Sequence, residues 1–221
     1  DRTPLGRGTS SGIHESQSRL IENQVGRSLG YWQLHFPELT RHFPKQLAGA
    51  SVEQFYRAIN KVQPSLIRVE ADELTYNMHI MLRFELEQSL INGELRVADL
   101  PEAWRAKMQE LLGVAPKTDT EGVLQDVHWS QAAFGYFPTY TLGNLYSAQF
   151  VAAAKQQDSL IESDLAKGDS TRLLAWLHKN VHQHGSKFDS AALCERATGS
   201  TLTAQPFVDY VREKYGAIYS L

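Results

Sequence analysis

Apolar residues recur at helical spacing along most of the chain, and strict apolar–polar alternation is nearly absent, so the pattern predicts a mainly α protein. Pro4, Gly6, Gly8 and Gly12, with Thr9, Ser10 and Ser11, make residues 1–12 a loop, and Ser10 or Ser11 would cap the helix after it. Ile13, Leu20, Ile21, Val25 and Leu29 predict a helix over 13–30, with Glu15, Arg19 and Glu22 as a polar stripe beside them. Residues 31–44, interrupted by Pro37 and Pro44, read as helix followed by turns. Ser51 and Gln54 form a capping-box pattern ahead of Phe55, Tyr56, Ala58 and Ile59. The longest periodic stretch starts at Pro64, passes through Leu66, Val69, Leu74, Met78, Leu82, Leu86 and Leu90, and predicts one helix of about 25 residues ending near Asn92-Gly93. Another helix runs from Leu100 to Leu112 and stops at Gly113. Residues 113–138 are polar, aromatic and broken by Pro116, Gly122, Gly135 and Pro138. Helical spacing returns from Tyr140 to Gln157, then over 158–167, 171–183, Ser190–Thr198 and 205–215. There is no internal repeat and no linker, so 1–221 reads as a single helical region with no separate domain.

Charge narrows the partners. The 22 basic and 25 acidic residues leave a formal net charge of −3 with no block of one sign, which gives no footprint for nucleic acid and no polybasic membrane patch. No apolar run approaches the length of a membrane-spanning helix. Cys194, the single cysteine, excludes an intrachain disulfide and any multi-cysteine metal site; it reads as a small buried hydrophobe in a reducing, cytoplasmic setting. The chain opens on Asp1-Arg2-Thr3-Pro4, without an initiator methionine or a signal-like segment, which suggests that further chain preceded it.

Three polar clusters have the character of a site. In His14-Glu15-Ser16-Gln17 the first two side chains leave a helix about 100° apart, so one metal ion cannot easily use both. Glu15 could ligate a metal through oxygen; the plainer alternative is a solvated glutamate and a packed histidine. In Arg68–Tyr76, helical spacing would pair Arg68 with Asp72, and Asp72 with Tyr76, and would set Glu70, Glu73 and Asn77 in a second ladder. An arginine held by such acids is a good bidentate receptor for a carboxylate, and the alternative is a surface stripe of ion pairs. Between Gly122 and Gly143, the residues Gln125, Asp126, His128, Trp129, Tyr136, Pro138 and Tyr140 read as a shaped pocket wall. Its tyrosines could donate to a developing oxyanion; the alternative is a core with a tight turn. His178, His182 and His184 read as surface or helix-end histidines, and His35 and His42 receive no role. No His-Glu-x-x-His, Gly-x-Ser-x-Gly, phosphate-cradling loop or nucleotide fingerprint is present.

The segments GIHESQSRLIEN (12–23), IRVEADELTYNMHIMLRFELE (67–87) and GVLQDVHWSQAAFGYFPTYTLGNLYSAQ (122–149) together resemble the carboxypeptidase Taq (M32) family of metallocarboxypeptidases, in motif order and in spacing. The resemblance implies the multi-helix C-terminal portion of an elongated HEXXH metallopeptidase fold. It implies release of single residues from peptide C-termini, with zinc or cobalt as cofactor, and many members form homodimers. Carried over by motif, Glu15 is the metal ligand that lies downstream of the HEXXH helix, and His14 lines the site. Arg68 receives the substrate's terminal carboxylate with Glu70 and Asp72 as supports. Gln125, Asp126, His128 and Trp129 form the substrate-side wall, and Tyr136 or Tyr140 contacts the peptide carbonyl or the tetrahedral intermediate. The HEXXH helix, which supplies two ligands and the general base, and the family's earlier motifs would all precede Asp1. The chain is therefore expected to be catalytically incomplete, inactive alone and without a bound cofactor. Expected partners are peptides with a free C-terminal carboxylate, and a second copy or the missing N-terminal half; neither nucleic acid nor membrane is expected. The alternative is a non-catalytic peptide-binding or interaction protein derived from the same family.

Overall fold

The computed structural model describes residues 3–221, and Asp1 and Arg2 of the expected opening loop lie outside the described residues. Ten α-helices form among the described residues: α1 (Ser11–Arg19), α2 (Leu29–His42), α3 (Val52–Ile59), α4 (Tyr76–Ile91), α5 (Leu100–Leu112), α6 (Pro138–Gln157), α7 (Leu160–Leu165), α8 (Thr171–Asn180), α9 (Ser190–Thr198) and α10 (Gln205–Tyr219). No strand occurs among the described residues.

The chain packs as two compact units, where sequence patterning had separated none. One comprises the residues up to Asn60 together with Leu142–Leu221, the other Lys61–Thr141. The first boundary falls at the irregular segment after α3, and the second falls inside α6.

In the first unit α1 starts at a capped end, with the Ser10 hydroxyl accepting from the Ile13 N–H at 3.2 Å, so Ser10 rather than Ser11 is the cap. The helix expected to run to residue 30 instead widens into a π-helix at Leu20–Val25, closed by a 2.7 Å bond from the Gly26 N–H to the Ile21 carbonyl. A new cap, Ser28, then starts α2, which keeps its helical path through Pro37 to His42 rather than breaking there. Trp32 and Phe36 on α2 pack against Phe55 of α3, with ring centroids 4.5 and 5.3 Å apart, and this packing offsets the bond Pro37 cannot donate. Gly30 is needed where α2 meets the end of α7, because a Cβ there would sit 2.4 Å from the Leu165 carbonyl oxygen. The core gathers Leu20, Phe150, Leu173, Leu177, Leu193 and Cys194. Cys194 is fully buried, and burial pushes its thiol pKa up.

In the second unit the long helix expected from Pro64 begins only at Tyr76. Residues 64–75 are irregular apart from one 3-10 turn, Arg68–Glu70. Asp72 is the cause: its carboxylate accepts from the Leu74 and Thr75 N–H groups, each at 2.9 Å, and from the Thr75 hydroxyl at 2.8 Å. Such side-chain-to-backbone bonds compete with helix continuation and start a new one. α4 then packs on α5 through Leu82, Leu86, Leu100, Trp104 and Met108, while Tyr76 and Ile80 close over Phe137.

Candidate functional site

Arg68 sits on the 3-10 turn, 7% exposed, with its guanidinium turned inward. Nε and Nη2 donate to Asp126 Oδ1 at 3.0 and 2.7 Å, Nη1 donates to the Tyr76 hydroxyl at 3.0 Å, and the backbone N–H donates to Gln125 Oε1 at 2.9 Å. The Arg68–Asp72 pair expected from helical spacing does not form, and Glu70 and Asp72, the supports the resemblance implied, lie elsewhere. Asp72 holds the turn that leads into α4, and Glu70 is exposed, because a 3-10 turn followed by extended chain does not set these acids over Arg68. Glu73 is buried.

A second arginine, which spacing did not single out, completes the cluster. Arg83 is fully buried on α4 and donates to Asp126 Oδ2 at 2.6 Å, to Gln125 Oε1 at 2.8 Å and to the His79 carbonyl at 2.8 Å. Gln125 is fixed in turn, since its amide donates to the Leu66 and Glu121 carbonyls at 3.0 and 2.9 Å. The guanidinium carbons lie over rings, Arg68 at 5.0 Å from the Tyr140 centroid and Arg83 at 4.6 Å from that of Trp104.

Asp126 pairs with both guanidiniums. Burial pushes its pKa up, but the hydrogen bond from Arg68 and the charge of Arg83 outweigh that and hold it below the usual carboxylate range. Burial alone would lower Arg68, and Asp126 more than restores it. Arg83 is lowered to about 10, by burial first and by the repulsion of Arg68 among the lesser causes, so it stays charged at neutral pH. His79, fully buried one turn before Arg83, has no hydrogen-bond partner at either ring nitrogen. Burial, then Arg83 and Arg68, lower its pKa to about 4, opposed by the charge of Asp126.

The pocket wall forms around His128. Its Nε2 is 2.9 Å from the Tyr140 hydroxyl, while Nδ1 is buried, 3.9 Å from Asp126 and without a hydrogen bond. Burial lowers the His128 pKa, partly opposed by Asp126, which favours the neutral ring. Tyr136, 39% exposed, lies with its ring 5.6 Å from His128 and 5.5 Å from Tyr140. Glu87, another residue not singled out, ties the wall down. It accepts from the Trp129 indole at 2.6 Å and from the Gly135 N–H across the left-handed turn at Ala132 and Gly135. Thus Arg68, Gln125, Asp126, His128, Trp129, Tyr136 and Tyr140 are brought together within one unit. The polar interruptions His79, Arg83 and Glu87 along α4, four residues apart, are the signal that could have found the rest.

His14 and Glu15 belong to the other unit. His14 is exposed on α1. Glu15 accepts from Arg19 Nε at 2.8 Å and from the Ser18 hydroxyl at 3.0 Å, and its stem lies against Gly143, where a Cβ would be 2.7 Å from Glu15 Cγ. His182 bonds Gln17 at 2.7 Å, and its ring lies 6.4 Å from that of His178. Among the described residues no three His, Cys, Asp or Glu side chains gather as a metal site requires. Glu15 is one carboxylate where a catalytic zinc takes three protein ligands, so the described residues do not by themselves hold a zinc ion.

Residues 1–215 match the family model described as carboxypeptidase Taq (M32) metallopeptidase. The chain belongs to the M32 family. It is 52% identical to thermostable carboxypeptidase 1 of Thermus thermophilus over 98% of its length, and 43% identical to carboxypeptidase 1 of Bacillus subtilis over 99%. The crystal structure of the M32 carboxypeptidase from Deinococcus radiodurans R1 superposes on 99% of the chain with a TM-score of 0.95 at 50% identity. Trypanosoma cruzi metallocarboxypeptidase 1 superposes on 96% with a TM-score of 0.90 at 37% identity. The M32 chain spans less than half of these proteins: 42% and 44% of the two relatives, and 44% of each of the two solved chains. The mainly helical fold expected from patterning is that of M32 structures. No helix among the described residues is long and apolar enough to cross a membrane.

Proposed function

We propose that the chain is the C-terminal portion of a zinc- or cobalt-dependent M32 carboxypeptidase, and that it supplies the grip on the substrate's terminal carboxylate and one metal ligand, Glu15. The observation that carries this reading is the charge of the Arg68 cluster, in which two buried guanidiniums share one carboxylate. Burying an excess positive charge costs stability unless a second anion completes it. Arg68 has five N–H donors and spends three of them on Asp126 and Tyr76, which leaves two for an incoming carboxylate in fork geometry. Asp126, Gln125 and Arg83 hold that guanidinium in place, so little side-chain freedom is lost on binding. His128 and Tyr140 present a neutral donor–acceptor pair, and Tyr136 is a second hydroxyl near it; these suit a peptide carbonyl whose oxygen gains charge.

Calorimetric titration tests the grip. A peptide with a free C-terminus should bind the chain, its C-terminally amidated twin at least about tenfold more weakly, and Arg68→Met should erase the difference. Equal binding of the two peptides would refute the assignment. A second reading, a non-catalytic peptide-binding protein, is favoured by the lack of a metal cluster among the described residues. Purified chain with added zinc or cobalt should release no C-terminal residue. If a separately produced polypeptide carrying the HEXXH helix restores release, the peptidase reading holds; if it does not, the binding-protein reading does.

A further inference from the structure

We propose that Glu87 is a positioning residue for the carbonyl side of the site: its carboxylate staples both ends of the turn 129–135 and so sets Tyr136 beside His128 and Tyr140. This rests on the reading of those three residues as contacts for a peptide carbonyl.

Glu87 lies on α4, one turn beyond Arg83, and is buried. Its Oε2 accepts from the Trp129 indole N–H at 2.6 Å, and its Oε1 accepts from the Gly135 N–H. These donors stand at opposite ends of the turn. The Trp129 end is fixed by packing, since its ring meets those of Trp104 and Phe137 edge-on, with centroids 6.2 and 5.8 Å away. The Gly135 end has no such packing: its φ is +73°, and nothing stands within 4 Å of where a Cβ would project. Between the two, Ala132 takes a left-handed φ of +57°, a conformation that persists only where the surroundings over-determine it. Glu87 supplies that determination by tying the open end to the packed one.

The chemistry needs a carboxylate there. Each of its oxygens takes one N–H donor, whereas a glutamine has one acceptor oxygen and would turn its own N–H toward the other donor. Tyr136 follows Gly135 directly. Its ring lies 5.6 Å from that of His128 and 5.5 Å from that of Tyr140, so a shift at Gly135 moves Tyr136 against that pair. Arg83, one turn earlier on the same helix, holds Asp126 and Gln125 around Arg68 instead. α4 therefore sets the two halves of the site through different residues, Arg83 for the terminal carboxylate and Glu87 for the carbonyl, and loss of Glu87 should damage one half and spare the other.

The test has two arms, both on the 221-residue chain. The first is amide hydrogen exchange read by mass spectrometry without any ligand. Glu87→Gln and Glu87→Leu should each speed exchange over 130–136 about tenfold or more and leave α5 unchanged. Glu87→Leu could disturb folding, so the nearly isosteric Glu87→Gln, checked by circular dichroism, decides. The second arm is calorimetric titration with N-acetyl-L-alanyl-L-alanine, which offers a terminal carboxylate and a peptide carbonyl, and with propionate, which offers the carboxylate alone. Glu87→Gln should weaken the dipeptide about tenfold and leave propionate unchanged. Tyr136→Phe should weaken the dipeptide in the wild-type background and add nothing to Glu87→Gln, whereas a merely structural Glu87 would give additive losses. Unchanged exchange over 130–136 would overturn the role of Glu87 and leave the reading of the carbonyl contacts standing. Faster exchange with additive losses, or with equal losses for both ligands, would also overturn the positioning role. A wild-type chain that binds the dipeptide no better than propionate would overturn the carbonyl reading itself, and the role of Glu87 with it.

Discussion

Replacing Asp126 by asparagine keeps its shape and removes the one charge that holds Arg68 and Arg83 together. The contacts are 2.7 and 2.6 Å, the Asp126 side chain is 9% exposed, and Arg83 is fully buried. At an effective dielectric of about 20, each contact is worth roughly 6 kcal/mol of gross attraction. Most of that offsets desolvation, and breaking such a buried pair typically costs about 3–5 kcal/mol net. The asparagine amide also turns an N–H toward a guanidinium, so one contact becomes donor against donor. Against a typical total stability of about 5–15 kcal/mol, the loss should unfold a sizeable fraction of molecules or shift the urea midpoint strongly. The pH dependence gives a second handle. Asp126 has a folded pKa below its ordinary 3.8, so its contribution is fully present above 3.8 and is lost as pH falls through the folded value. Urea unfolding of wild type and Asp126→Asn at pH 7, and in steps down to acid pH, measures both effects. A loss under about 1 kcal/mol at pH 7, or an acid limb of the same slope in both proteins, would refute the reasoning.

His79 is expected to behave in the opposite sense to a favourable buried pair. Its folded pKa of about 4 lies below the ordinary 6.5, so the unfolded chain binds its proton first and stability falls as pH drops from 6.5 toward 4. His79→Leu should be near neutral or stabilising at pH 7 and should flatten that part of the stability–pH curve in thermal unfolding. Gly143→Ala should cost about 1–3 kcal/mol, since the new methyl would sit 2.7 Å from Glu15 Cγ and 2.9 Å from its Cβ. The penalty should shrink in a Glu15→Gly background, and an equal loss in both backgrounds would place the clash elsewhere.

Helix content and most helix starts were legible because they depend on neighbours in sequence. The Ser51–Gln54 capping box and the Gly113 stop after α5 are both local devices. The start of α4 was misread because the apolar spacing of Leu66, Val69 and Leu74 continues smoothly into Met78, while the competing Asp72 bonds are invisible to periodicity. The partner of Arg68 was misassigned for a related reason. Helical spacing pointed to Asp72, four residues away, whereas its ion pair is to Asp126, 58 positions along the chain. Asp126, Gln125 and His128 were read as one wall because they are adjacent in sequence; that the wall and the arginine are one structure depends on folding.

The burial of Cys194 has a practical side. Its thiol is fully covered and its pKa is raised, so thiol-reactive probes should leave it untouched in the native chain. A cysteine introduced at Leu124, which is 69% exposed and adjoins Gln125, would then take up a fluorophore selectively, with no cysteine-free background to engineer, and would report directly on occupancy beside Arg68.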